Sequence, residues 1–205
     1  MLRLYRAEFS TNAERVALAL AHKGLAVESV VIDYADRSEV ERVSGQPLVP
    51  VLDHDGTIVA DSMAIVAYLE REFPDPPLFP SDPARRAEVD TFIDWFNRVW
   101  KAPPNEIEAE EATAQPDRAR VAALSAEMAA ALDRFEAMLT GRDHLMGAEF
   151  SAADVAAFPF LKYALMRDPA DDEAFHRVLD EHQQLGEDHP RVSAWIQRVD
   201  RRPRA

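Results

Sequence analysis

The chain has 205 residues, 47% of them hydrophobic, enough for one large domain or two small ones with a substantial core. It contains no cysteine, so disulfide scaffolding, thiolate zinc sites and a cysteine nucleophile are excluded; any thiol chemistry must use a thiol brought by a ligand. A formal net charge of −14 repels phosphate backbones and anionic lipid, which argues against nucleic-acid and membrane partners.

No apolar run reaches the roughly 18 residues of a membrane span. Met1 to Arg6 lacks the apolar region of a secretory signal, so a cytoplasmic protein is expected. The six histidines are scattered, none at i,i+4 spacing to another, and no metal is expected.

Leu2 and Leu4, with polar residues between, predict a short first strand. Ser10-Thr11-Asn12 then offers capping side chains ahead of Val16, Leu18, Ala19 and Leu20, and Gly24 stops that helix. Val27 to Ile32 is rich in β-branched residues and predicts a second strand. Ser38 to Val43 predicts a short helix. Val49-Pro50-Val51-Leu52 and Thr57-Ile58-Val59-Ala60 flank His54-Asp55-Gly56, a hairpin signal because Asp-Gly tolerates positive φ. Asp61-Ser62 opens a helix through Ile65, Tyr68 and Leu69. The order β-α-β-α-β-β-α implies parallel pairing in the first unit and an antiparallel hairpin at the edge.

The proline-dense stretch from Phe73 to Pro80 cannot continue a helix, so the chain divides there. Expected are an α/β domain over 1–77, a linker at about 73–83 and an all-helical domain over 84–205. In the latter, Val89, Phe92, Ile93, Phe96 and Trp100 share a helix face, which Pro103-Pro104 should break or kink. Val121, Leu124, Met128, Leu132, Phe135 and Leu139 mark a long helix ended by Gly141. Ser151-Ala152-Ala153-Asp154 has the form of a capping box, with Phe150 and Val155 placed as a hydrophobic staple. Its helix should carry Val155, Phe158, Leu161 and Leu165 inward. Phe175, Val178 and Leu179 predict a short helix, and Val192, Trp195, Ile196 and Val199 a last one.

Several positions carry candidate chemistry. Ser10 at a helix start can donate a hydrogen bond to an anion that the helix terminus also attracts; taken alone, plain N-capping is the commoner role of such a residue. If the Val49–Pro50 bond is cis, Val49 presents its N–H and C=O to an extended peptide; if trans, Pro50 is an edge-strand proline. Asp61 suits an ammonium and Ser62, with the first helical amides, a carboxylate; N-capping accounts for Ser62 and leaves Asp61 unexplained. Trp95, Phe96, Asn97, Trp100 and Lys101 either wall a cleft or pack a core. No nucleophile elbow, P-loop or dinucleotide fingerprint is present.

Ser10-Thr11-Asn12-Ala13-Glu14-Arg15-Val16, Val49-Pro50-Val51-Leu52, Asp61-Ser62 through Leu69, and Ser151 to Asp154 stand in the order found in cytosolic glutathione transferases, which the chain resembles over essentially its full length. The resemblance, to serine-type bacterial-like members, implies a thioredoxin-like N-terminal domain, an all-helical C-terminal domain and a homodimer. It implies that Ser10 holds the thiolate of glutathione, that Val49 before a cis-Pro50 pairs with the cysteinyl backbone, and that Asp61 and Ser62 bind the γ-glutamyl end. A small hydrophobic electrophile would be the second substrate. An isomerase or dehalogenase, or a non-catalytic interaction protein on the same fold, are the alternatives. Two departures stand out. Leu48 occupies the position where many members place a basic or amide residue for the glycyl carboxylate, with Arg37 or Gln46 as substitutes; and Tyr5 is a second candidate for the thiolate.

Overall fold

The computed structural model describes residues 1–33 and 35–205. They divide into two compact units, Met1–Pro80 with Arg202–Ala205, and Ser81–Arg201. The division falls inside the expected linker, but the last four residues group with the first unit rather than with the helices.

In the first unit, β1 (Leu2–Arg6), α1 (Thr11–His22), β2 (Val27–Val31), α2 (Ser38–Ser44), β3 (Val51–His54), β4 (Thr57–Ala60) and α3 (Ser62–Glu72) follow the predicted order. The sheet order is β2-β1-β3-β4, with β1 parallel to β2 and antiparallel to β3, and the β3–β4 hairpin antiparallel. Asp55 and Gly56 both adopt positive φ at the hairpin tip, where the Asp53 carboxylate accepts the Gly56 amide at 2.8 Å. The pleat sends alternate β1 residues to opposite faces. Tyr5 and Val51 join Ala7, Ile32 and Val40 in one cluster, whereas Leu4 lies opposite Leu52 with its side chain on the other face. Residues 202–205 fold back onto α1: the Arg204 guanidinium donates twice to one oxygen of Glu14, at 3.1 and 2.9 Å, and the Ala205 amide donates to the Ala17 carbonyl.

The proline-rich stretch is fastened rather than loose. Lys23, its side chain fully buried, directs its three ammonium protons at the Glu70 carboxylate (2.7 Å) and the carbonyls of Phe73 (2.7 Å) and Pro76 (3.0 Å). Glu70 in turn accepts the amides of Leu78 and Phe79. The Asp75–Pro76 bond is cis, which the sequence did not suggest. Replacing Lys23 with methionine removes the cation from the partly buried Glu70 carboxylate and the donor from two carbonyls, so a loss of about 3 kcal/mol is expected. All three tryptophans lie in the second unit. Hydrogen exchange across α1 and α3 is therefore the measurement, and protection unchanged from wild type would contradict the expectation.

The second unit is helical: α4 (Pro83–Trp95), a π-helical turn (Phe96–Trp100), α5 (Ala102–Glu111), α6 (Arg118–Met138), α7 (Ala152–Leu161), a short 3₁₀ turn (Lys162–Ala164), α8 (Ala174–His182) and α9 (Pro190–Asp200). Pro103-Pro104 mark the break expected from sequence: the helix before them ends at Trp100 and α5 starts at Ala102. They sit in the first turn of α5, where amide protons have no intrahelical partner. The π-turn, closed by the Lys101 amide on the Phe96 carbonyl, lets the helix restart there. Leu165, expected inside, is 41% exposed because α7 stops at Leu161.

The capping box forms as read. The Ser151 side chain accepts the Ala153 amide, and Asp154 reaches back to the Ser151 amide at 2.9 Å. Asp154 also accepts the Ser151 hydroxyl, the Leu145 amide and the Trp195 indole N–H, the last at 2.8 Å. Wholly buried, this carboxylate joins the loop before α7 to α9.

Candidate functional site

Sheet register brings the candidate residues of the first unit to one end. Tyr5 lies opposite Val51, and Val51 opposite Ala60. The chain leaving β1 towards Ser10, the Val49–Pro50 pair entering β3 and the Asp61–Ser62 pair leaving β4 therefore emerge together. Both α1 and α3 begin at that end, and both present their positive termini there.

Ser10 is the N-cap of α1 and is 9% exposed; its Oγ accepts the Ala13 amide at 3.2 Å. That bond uses an acceptor lone pair and leaves the hydroxyl proton to donate. Capping and anion binding are thus compatible at this residue, although the sequence presents them as alternatives. Tyr5 is 3% exposed within the cluster around Val40 and Val51.

At α3 the capping residue is Asp61, not Ser62. One Asp61 carboxylate oxygen accepts the amides of Met63 and Ala64, both at 3.0 Å. This answers why an acid stands there, and it takes two of the amides that the sequence reading gave to a ligand carboxylate. The Ser62 amide and hydroxyl remain. Asp61 holds φ 75° and ψ 127°, a conformation that costs a non-glycine residue about 1–3 kcal/mol and concentrates at functional sites. Its second oxygen stays open on an exposed residue, suited to an ammonium.

The Val49–Pro50 bond is cis. Val49 lies just outside the β3–β4 ladder, which starts at Val51 opposite Ala60, so its main-chain groups are not consumed by the sheet. The loop before it is held by Gln46, whose amide accepts the Leu48 N–H at 2.7 Å and donates to the Leu48 carbonyl and the Ser44 hydroxyl. Both Gln46 amide protons are therefore engaged within this loop. Arg37 donates to the Pro47 carbonyl, and Leu48 is 66% exposed.

Sequence reasoning missed the role of Arg15. It is 1% exposed, and its guanidinium donates to the Asn12 side-chain oxygen at 3.2 Å and to Ser62 Oγ at 3.3 Å. Burial pushes its pKa down to about 9, while the Asp61 carboxylate pulls it upward. The available signal was a basic residue set directly against the apolar run from Val16 to Leu20.

In the helical unit Phe96 and Trp100 are core residues, stacked at 4.4 Å between centroids. Trp95 lines an apolar cavity of about 610 Å³ with Phe92, Met138 and Met146. The Lys101 ammonium lies 4.5 Å from the Phe160 ring centre. Among the described residues no group of His, Asp or Glu side chains suits a metal ion, and no helix is long and apolar enough to cross a membrane.

Comparison with known proteins agrees with the two-part fold. Residues 4–77 match the family model described as glutathione S-transferase, N-terminal domain, and residues 102–203 the one described as glutathione S-transferase, C-terminal domain. Protein IN2-1 homolog A of rice (Oryza sativa subsp. japonica) is 34% identical over 160 residues, 75% of this chain and 61% of the relative, so the chain matches about three fifths of that protein's length. A glutathione S-transferase crystal structure from Rhodospirillum rubrum F11 superposes with a TM-score of 0.75 at 29% identity, over 99% of this chain and 89% of that one. The rice transferase GST1, solved in complex with glutathione, superposes with a TM-score of 0.77 at 27% identity, over 98% and 86%.

Proposed function

Because the chain belongs to the glutathione S-transferase family, we propose that it binds glutathione at the shared end of its sheet and presents the thiolate to a small hydrophobic electrophile. The observation that carries this reading is the convergence of the two helix starts: Ser10 with a hydroxyl proton to give at α1, and Asp61 beside Ser62 at α3. The glutathione complex of the similar rice structure lends it support.

In this reading the Ser10 hydroxyl donates to the sulfur while the α1 terminus adds positive potential. Both favour the anion and hold the thiol pKa below its usual value of about 8.5. The cysteinyl main chain pairs with Val49, beside Pro50. Asp61 takes the γ-glutamyl ammonium, and the Ser62 amide and hydroxyl take the carboxylate. The sulfur then attacks an electrophilic carbon: a C–S bond forms, the bond to the leaving group breaks, and that group departs with the electron pair. The thiol proton has gone to solvent beforehand. Positioning and electrostatic stabilisation supply the rate. The protein works as a cytoplasmic homodimer.

Calorimetric titration with glutathione tests the reading. Saturable heat at one site per chain is expected, and it should vanish for a glutathione analogue blocked at the γ-glutamyl amine. No heat at saturating glutathione would overturn the proposal. Binding without turnover of an aryl halide would instead favour a non-catalytic interaction protein or an isomerase or dehalogenase on this fold.

A further inference from the structure

Arg15 joins the two helix starts by a side-chain hydrogen bond to Ser62 across 47 positions of sequence. Helical side chains lean towards the N-terminus of their own helix, so Arg15 reaches back over the first turn of α1 to Asn12. From there its second bond crosses to the first residue of α3, Ser62.

The placement is costly. A guanidinium that is 1% exposed has lost most of its hydration, and it stands near the positive ends of two helices, where a cation is disfavoured. Methionine would fill similar volume without either cost. Asp61, one of whose oxygens accepts the Met63 and Ala64 amides, acts on the guanidinium as an opposing charge.

The hydrogen bonding is directional as well. The Arg15 N–H fills an acceptor lone pair of Ser62 Oγ. The hydroxyl proton must then point elsewhere, and the Asn12 oxygen, at 3.5 Å, is at the limit of hydrogen-bond distance. A serine fixed in this way is a ready donor.

Building on the proposed glutathione site, we infer that Arg15 is a positioning residue: it locks the Ser62 hydroxyl as a donor to the γ-glutamyl carboxylate and so makes the site selective for that carboxylate. It touches neither the sulfur nor the electrophile.

The test compares glutathione with its analogue lacking the γ-glutamyl α-carboxylate, γ-aminobutyryl-cysteinyl-glycine, by calorimetry on wild type, Arg15→Met and Arg15→Lys. Wild type should prefer glutathione. Arg15→Met should lose about 10- to 100-fold in affinity for glutathione and little for the analogue, collapsing the preference. Arg15→Lys should recover part of it, through charge without the planar fork. A merely structural role would weaken both ligands alike, and that result overturns the inference. So does a wild type that binds both equally. If Arg15→Met does not fold, Ser62→Ala and Arg15→Lys carry the same comparison, with the same two outcomes. Wild type that binds neither ligand sinks the glutathione site itself, a result distinct from failure of the Arg15 role.

Discussion

Ser10→Ala is expected to lower kcat for conjugation of a small aryl halide by about 100- to 1,000-fold while leaving glutathione affinity within a few-fold of wild type. That is the size of effect seen when one preorganised donor to a developing or resident anion is removed. The substitution also removes the acceptor for the Ala13 amide, worth about 1 kcal/mol to α1, so a structural loss has to be separated from a chemical one. Ser10→Asp does so. Aspartate caps a helix as well as serine does, and would hold α1 together. Its charge repels a thiolate, raises the thiol pKa and should abolish turnover near neutral pH. The two variants thus differ in stability and agree in lost activity. Thiolate absorbance in the ultraviolet as a function of pH gives the pKa of the bound thiol directly, and an upward shift is expected for both. Unchanged turnover in Ser10→Ala removes Ser10 from the mechanism.

Asp154→Ala should cost the helical unit about 3–5 kcal/mol, which for many domains of this size is a large part of the total. The wild-type carboxylate is fully buried and accepts four hydrogen bonds, from the Ser151 amide and hydroxyl, the Leu145 amide and the Trp195 indole. Alanine leaves those donors dry and unpaired. Trp195 makes the experiment simple, because its fluorescence responds to the loss of its own partner and to unfolding of α9. Urea denaturation followed by that signal should show the midpoint falling. Asp154→Asn keeps one acceptor but turns an N–H₂ group towards Ser151, so it should recover only part of the loss. A midpoint unchanged in Asp154→Ala contradicts the structural account of the capping box.

Both residues were visible in the sequence, and for the same reason: capping chemistry is local. Ser10 with the following helix, the Asp55-Gly56 tip and the Ser151-to-Asp154 box each depend on residues a few positions apart, so pattern alone located them. Element order and strand direction were legible because hydrophobic periods of two and of three to four are distinct. What failed depends on distant partners or on subtle backbone choices. Nothing near Arg15 announces Ser62. The exchange of capping roles between Asp61 and Ser62 hangs on a positive φ that few aspartates adopt. Pro103-Pro104 marked a break in the helix correctly, but that a new helix starts with them was not read. Leu165 followed the helical period of α7, which the chain abandons at Leu161.

The buried Lys23–Glu70 pair has a practical consequence for dissection of the molecule. A fragment cut at residue 77, where the proline-rich stretch looks expendable, would delete Leu78 and Phe79, whose amides fill Glu70 and whose side chains are 1% and 7% exposed. The excised piece would carry a Glu70 carboxylate that has lost two of its donors. Ending it after Pro80 keeps those anchors, although such a fragment still lacks the Arg204–Glu14 and Ala205–Ala17 bonds on α1.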